Sequence, residues 1–115
     1  MGIATVGYSI FRDLDLDATG IVVKNSPGML FGWHLDNDHA SALLYVKFYD
    51  IATVPTHGNT PVLTIAVTAL VPQFIEFSRG IIFSSGIAVR CTTERADNGE
   101  TGAASDDMLA QVFFV

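Results

Sequence analysis

The chain has 115 residues, a length that suits one domain with one hydrophobic core. Twelve acidic residues against six basic ones give a net charge of −6, which opposes contact with a polyanion, so we predict no direct nucleic-acid partner. Because half of the residues are apolar and only 16% are charged, we predict a homo-oligomer or a subunit of an assembly that buries the surplus apolar surface, with a monomer that has a rich core as the alternative.

The N-terminal segment, residues 2–17, ends in leucines that alternate with aspartates: Asp13, Leu14, Asp15, Leu16 and Asp17. This pattern predicts an edge strand or an extended arm, so we assign residues 1–17 to that element and residues 18–115 to a β-sandwich domain. Alternating carboxylates also suggest a calcium loop. Ala18 and Lys24 stand where that loop requires Gly and Glu, so we favour the solvated edge or arm.

Period-two alternation in β-branched and aromatic runs is the main secondary-structure signal, and it predicts strands. In residues 87–94, Ile87, Val89 and Cys91 share one face, as expected of a half-buried strand. Cys91, the only cysteine, is therefore predicted to be a buried small side chain without redox chemistry. The predicted strands in chain order are residues 20–24, 29–35, 43–50, 62–70, 74–77, 81–83, 87–94 and 108–114.

Turn residues separate these runs at 25–28, 57–61, 78–80, 84–86 and 97–99. Residues 96–107 are rich in Gly, Ala, Ser and acids, which predicts an exposed flexible loop before the last strand. About eight short antiparallel strands with this spacing predict an all-β fold and a β-sandwich. The spacing fits either a jelly roll or an immunoglobulin-like sandwich.

The longest stretch without Asp, Glu, Lys or Arg, residues 51–75, is interrupted by three prolines: Pro55, Pro61 and Pro72. A bilayer span needs about 20 consecutive apolar residues, so we predict no membrane partner. The chain does not open on the basic flank and apolar core of a signal peptide, and we predict synthesis in a cytoplasm.

The densest group of possible metal ligands comprises His34, Asp36, Asp38 and His39. Alternation along a strand places the first three on one face, where they would suit a metal-dependent enzyme. A strand that ends in the polar turn 36–38 explains the same residues through turn preference alone. We favour the turn and predict no metal site and no cofactor.

Nucleophilic catalysis needs a Ser or Cys that is activated by a neighbouring base. The run around Ser84 and Ser85 lacks the first Gly of the hydrolase elbow, and it predicts a hairpin turn. Neither GxxxxGK[ST] nor GxGxxG occurs, and His57 beside Gly58 is predicted to be a solvated loop side chain. We therefore predict that the chain is not an enzyme.

Four runs in this order and spacing carry a family resemblance: LFGWHLDN (30–37), ALLYVKFYD (42–50), PVLTIAV (61–67) and FSRGIIFSSGIAV (77–89). They resemble small decoration, or cement, proteins of tailed bacteriophage capsids. The resemblance implies a jelly-roll-like sandwich and a structural protein of the virion, made in the host cytoplasm. It would bind the outer capsid surface as a homo-oligomer, with a trimer favoured and a dimer possible, and clamp neighbouring subunits of the major capsid protein. It brings no catalytic or metal residue.

Similar sandwiches occur in phage tail and neck components, so a carbohydrate- or receptor-binding module is the alternative function, with Trp33 as an exposed aromatic contact. For a subunit interface we predict Leu43, Tyr45 and Tyr49, because aromatic side chains supply contact area at low entropy cost. Packing of the two tyrosines beneath a loop of the same subunit is the alternative. The segment 2–17 is a second candidate contact.

Overall fold

A computed structural model describes residues 7–103 and 107–115, and within them the chain forms eight strands and no helix. The described residues contain no helix with the length and hydropathy to cross a bilayer. The strands are β1 (Ser9–Asp13), β2 (Ile21–Lys24), β3 (Gly28–Asn37), β4 (Leu44–Tyr49), β5 (Leu63–Val67), β6 (Gln73–Phe83), β7 (Ile87–Thr92) and β8 (Met108–Phe114).

The strands form two four-stranded sheets. Sheet I has the order β1-β8-β3-β6, and sheet II has the order β2-β7-β4-β5. Every neighbouring pair is antiparallel. The predicted all-β class and the β-sandwich of eight antiparallel strands are therefore confirmed. Only the connection from β4 to β5 stays within one sheet, and each of the others passes between the sheets.

The hydrophobic core lies between the two sheets. It is built from the side chains that point inward, which alternate with outward side chains along each strand. Leu44, Val46 and Phe48 of β4 are buried, and Val89 and Cys91 of β7 lie in the same cluster. A fully buried side chain of this kind stabilises the fold by roughly 1.5–3 kcal/mol. Cys91 is free and buried as predicted, and burial raises the pKa of its thiol to about 12.

The predicted strands 74–77 and 81–83 are one strand, β6, so the predicted turn 78–80 is wrong. The pairing of β6 with β3 shifts between Leu30 and Gly32, where residues 77–80 bulge opposite Phe31 without leaving the sheet. Gly80 permits this bulge, because a Cβ there would lie 2.8 Å from the Cβ of Met29. The Ser-Arg-Gly signal marks a bulge and not a chain reversal.

The turn at 84–86 was predicted to close a hairpin, but it joins β6 of sheet I to β7 of sheet II. Asp50, which follows β4, holds this corner. Its carboxylate accepts hydrogen bonds from the backbone amides of Ser84 (3.1 Å) and Ser85 (2.8 Å) and from the Ser84 hydroxyl (3.0 Å). The same residues that favour a hairpin therefore form a corner between the sheets.

The described part of the N-terminal segment is integrated into the sandwich. β1 is the edge strand of sheet I, and Leu16 lies in the core with its amide bonded to the Met108 carbonyl (3.1 Å). Residues 1–6 of the predicted arm lie outside the described residues, as do residues 104–106 of the predicted loop 96–107. In the rest of that loop, residues 96–98, 100 and 101 are exposed, and hydrogen bonds from Lys47 and Arg90 anchor Ala96 and Asp97 on sheet II.

Candidate functional site

The two outer faces of the sandwich differ, and the chain itself covers the centre of the outer face of sheet II, whereas Thr64 and Ala66 of the edge strand β5 are exposed. We call this centre the covered face; its residues, all buried, are Lys47, Tyr49, Ala88, Arg90 and Thr92. They point away from the core because their neighbours along β4 and β7 point into it. Residues 93–102, which follow β7, lie over them.

Hydrogen bonds tie this segment to the covered face. Lys47 Nζ donates to the Ala96 carbonyl (2.5 Å), and Arg90 Nη2 donates to the Asp97 carbonyl (3.2 Å). Arg90 Nε also donates to the Tyr49 hydroxyl (2.6 Å). Burial, followed by the charge of Arg90, lowers the pKa of Lys47. Because the loop supplies the acceptors of both cations, the covered face depends on the loop staying in place.

Two further contacts hold the covering segment. The Glu94 carboxylate accepts hydrogen bonds from the amides of Glu100 (3.0 Å) and Thr101 (2.9 Å), and the Thr101 amide lowers the pKa of Glu94. His57, in the loop between β4 and β5, contacts Glu100 through Nδ1 at 2.8 Å. Both side chains of this pair are exposed, so the pair contributes little to stability by itself.

The predicted interface residues have different environments. Tyr49 is fully buried within its own chain, and its hydroxyl accepts a hydrogen bond from Arg90. This environment fits the alternative interpretation, in which the tyrosine packs inside the same subunit. Tyr49 offers no surface to a partner in this fold. Leu43 is 42% exposed and Tyr45 is partly exposed, and their role in a subunit contact stays a prediction.

The outer face of sheet I is uncovered in the described part of the chain, and we call it the open face. The strand register aligns Arg12, Gln111, His34 and Phe74 in one row across the sheet. The next row contains Ile10, Phe113, Gly32 and Glu76. Besides these rows, the open face includes Tyr8, Met29, Phe31, Ile82 and Leu109.

Aromatic rings form a connected cluster on the open face. Tyr8 stacks on Phe31 and Phe113, with ring centroids 6.0 and 5.3 Å apart. Phe74 contacts Phe113 (5.9 Å) and His34 (6.2 Å). The Tyr8 hydroxyl also donates a hydrogen bond to the carboxylate of Glu76. Ring contacts of this kind hold the side chains in fixed positions, which prepares the face for a partner.

Several side chains of the open face are accessible to solvent. Phe74 is 66% exposed, Ile82 is 77% exposed and Ile10 is 59% exposed. An aromatic side chain presents about 150–250 Å², so the open face exposes several hundred Å² of apolar surface. That is at the upper end for a monomer and approaches the roughly 800 Å² that each partner contributes to a standard interface.

The two histidines among the possible metal ligands form other contacts. His34 Nδ1 lies 3.0 Å from Gln111 Nε2, and His39 Nδ1 accepts hydrogen bonds from the amides of Ser41 and Ala42. β3 ends at Asn37, whose side-chain oxygen accepts the His39 amide (3.0 Å). Within the described residues no group of three or more His, Cys, Asp or Glu is placed to hold a metal ion. The end of β3 at Asn37 and the hydrogen bond from the His39 amide fit the interpretation of residues 36–38 as a polar turn.

The aspartates of the N-terminal segment form local turns. Asp13 Oδ1 accepts a hydrogen bond from the Asp15 amide (2.9 Å), and Asp17 Oδ1 accepts one from the Thr19 amide (2.8 Å). Such bonds are typical of Asp residues that begin turns.

Trp33, the aromatic residue predicted to be exposed for glycan binding, is only 8% exposed, so that expectation is wrong. Its ring packs in the core against Phe48 (5.6 Å) and Phe77 (5.5 Å). Trp33 follows the register shift at Gly32 and points inward, as Leu35 does two residues later.

Comparisons with protein-family models, with curated proteins and with solved structures found no match for this chain. The site is therefore chosen on geometry. The covered face is completed by the chain's own loops, whereas the open face presents a rigid apolar surface. We take the open face as the candidate functional site.

The central residues of the open face, Phe74, Ile82 and Phe113, were not predicted from the sequence. The available signal was runs without alternation, such as Ile81-Ile82 and Phe113-Phe114, which are typical of strands covered on both sides.

Proposed function

We propose that this chain is a structural subunit of a protein assembly, and that it decorates the outside of a tailed-phage capsid by binding the major capsid protein. The observation that carries the first part is the open face, with Phe74 and Ile82 exposed on a rigid sheet. The second part is supported by the resemblance of the four sequence runs to capsid decoration proteins. In this proposal the chain acts by binding and catalyses no reaction.

We also infer that the sandwich is a jelly roll. Each sheet combines strands from both halves of the chain, in the orders β1-β8-β3-β6 and β2-β7-β4-β5. An eight-stranded jelly roll wraps two Greek keys into two sheets, and a chain that passes between the sheets after almost every strand supports that topology.

The energetics favour burial of the open face. Covering several hundred Å² of apolar surface at about 25 cal/mol per Å² gives on the order of 10 kcal/mol before the cost of association. The net charge of −6 keeps the remaining surface soluble. A compact domain with one apolar face and acidic loops suits attachment in many copies to a larger shell.

The test is attachment to capsids assembled without this chain from the major capsid protein of the phage that encodes it. We expect the wild-type chain to co-sediment with these capsids and to raise their thermal unfolding temperature. Phe74→Ser and Ile82→Ser should each weaken attachment by at least about tenfold, because each removes apolar contact area from the face. Circular dichroism should show that both variants remain folded, since both side chains are exposed.

Val62→Ser is the matched control, because Val62 is 54% exposed and precedes β5 of sheet II. It should attach like the wild type. If the wild-type chain does not co-sediment with the capsids, the capsid proposal is wrong. If all three variants attach equally, attachment does not depend on the open face.

A second candidate function, a carbohydrate- or receptor-binding module of a phage tail or neck, is favoured by the exposed ring of Phe74. Tyr8 and Phe74 replace Trp33 as its aromatic contacts. Glycan binding that Phe74→Ser abolishes, in a chain that does not attach to capsids, would support this function over decoration.

A further inference from the structure

We infer that a second copy of this chain covers the open face, packed sheet against sheet across a two-fold axis parallel to the strands. The inference rests on the proposed function and deepens it: the open face joins two copies, and the dimer attaches to the capsid through its remaining surfaces. The partner is identified by the arrangement of charged and aromatic residues across sheet I, which is complementary to itself.

The strand register defines this arrangement. Arg12 lies on the edge strand β1, in the row that ends at Phe74 on the opposite edge strand β6. Glu76 lies on β6 in the adjacent row, two residues further along the strand. Arg12 and Glu76 are exposed, and within the described residues Arg12 forms no ion pair. The sheet therefore presents an unpaired cation at one edge, and an aromatic ring beside a carboxylate at the other.

A two-fold axis parallel to the strands exchanges the two edges of the sheet and preserves the rows. It places β1 of each copy over β6 of the other. Packed sheets lie about 10 Å apart with interdigitated side chains. Arg12 of each copy then lies between Phe74 and Glu76 of the second copy, where its guanidinium can stack on the ring and pair with the carboxylate. The symmetry forms this contact twice.

The distribution of charge over the whole chain favours the same pairing. The strands of sheet I contain two arginines, Arg12 and Arg79, against three carboxylates, Asp13, Asp36 and Glu76. The strands of sheet II contain Lys24, Lys47 and Arg90 and no carboxylate, so the excess of negative charge lies mostly in the segments outside the strands. Contact through sheet I joins two nearly neutral faces and keeps the acidic segments apart, whereas contact through the loops would bring like charges together.

The open face is also large enough for a stable dimer interface. The exposed apolar area of several hundred Å², together with Arg12, Glu76 and Gln111, approaches the roughly 800 Å² per partner of a stable interface. Edge-to-edge pairing through β6 is a weaker solution, because the bulge at residues 77–80 interrupts a regular ladder along that edge.

The test is charge reversal followed by mixing, read as solution mass by light scattering. We expect the wild-type chain to have the mass of two chains at micromolar concentration. Arg12→Glu alone should place two carboxylates together at each contact, and Glu76→Arg alone should place two arginines together. Each single variant should therefore weaken dimerisation at least tenfold. An equimolar mixture of the two variants restores both contacts as Arg opposite Glu, so it should recover the mass of two chains.

Arg95→Glu and Glu100→Arg are matched controls, because they make the same charge changes in the segment over the covered face. Both should remain dimeric. A wild-type chain that stays monomeric, or a mixture that stays monomeric while both variants are folded, would overturn the second-copy assignment. Attachment of a monomeric chain to capsids would also overturn the second-copy assignment, but it would support the proposed function. A restored dimer that does not attach to capsids would support this inference and contradict the capsid proposal.

Discussion

Asp50 stabilises the corner between the two sheets through several hydrogen bonds at once. Its carboxylate accepts the amides of Ser84 and Ser85 and the hydroxyl of Ser84. The Ser85 amide is the largest cause that lowers the pKa of Asp50 below its ordinary value of 3.8. The sequence alone does not reveal this role, because Asp50 and Ser84 are far apart along the chain.

We predict that Asp50→Ala lowers the free energy of unfolding by roughly 1–3 kcal/mol, because it leaves the corner amides without their acceptor. Because the folded state lowers the pKa of Asp50, its contribution is present above pH 3.8 and is lost as the pH falls through the folded value. The stability difference between the wild type and Asp50→Asn should therefore stay constant above pH 3.8 and shrink as the pH falls from 3.8 through the lower folded pKa. Chemical denaturation across this range measures it, and a difference that also stays constant below pH 3.8 would contradict the assignment.

Gly32 shows how one residue shapes a strand pair. It lies at the register shift between β3 and β6 and has a φ of +149°, which L side chains rarely adopt. A Cβ at this position would lie 2.1 Å from the Ile75 carbonyl oxygen. The bulge therefore requires glycine here, and the bulge is what joins the two predicted strands into β6.

We predict that Gly32→Ala destabilises the fold by roughly 2–4 kcal/mol through backbone strain and steric overlap. Gly58→Ala is the control, because the nearest atom to its Cβ would be Thr56 Oγ1 at 3.7 Å, an ordinary contact. Its unfolding free energy should stay within about 0.5 kcal/mol of the wild type. Equal losses in the two variants, measured by urea denaturation, would show that the Gly32 conformation is not required.

The bounds of β8 were predicted correctly, at Met108 and Phe114. The predicted bounds were wrong where a residue distant in the sequence ends the strand. The strand predicted for residues 62–70 ends at Val67, whose carbonyl accepts a hydrogen bond from the buried Asn37 side chain (2.8 Å). Leu70 then adopts a φ of 62° and cannot continue the strand. Alternation contains no information about a partner 30 residues away.

Across the whole molecule, the first and last strands are neighbours. β1 pairs with β8, and β8 also pairs with β3 in the interior of sheet I. Such long-range pairing requires closure of most of the chain before the sheet is complete. Sheet I, which presents the open face, is therefore complete only after almost the whole chain has folded.

We predict slow, two-state refolding with a relaxation time in the range of about a millisecond to seconds, as for other β-sandwiches. Trp33 is the only tryptophan and is buried between the sheets, so its fluorescence in stopped-flow refolding reports formation of the core. Full recovery of the native signal within the dead time would contradict this expectation.

The sequence by itself determined the all-β class, most strands, the inward faces of β4 and β7, and the buried Cys91, because alternation and turn chemistry are local properties. Tertiary structure alone decided the sheet order, the corner at Ser84 and the difference between the two outer faces. Whether an outward side chain is exposed depends on what a distant segment does. Asp97 of the segment 93–102 returns to bind Arg90, which lies over the ring of the buried Tyr49, whereas no described segment covers Phe74. That non-local contact moves the candidate site from sheet II, where Tyr49 was predicted at an interface, to the open face of sheet I.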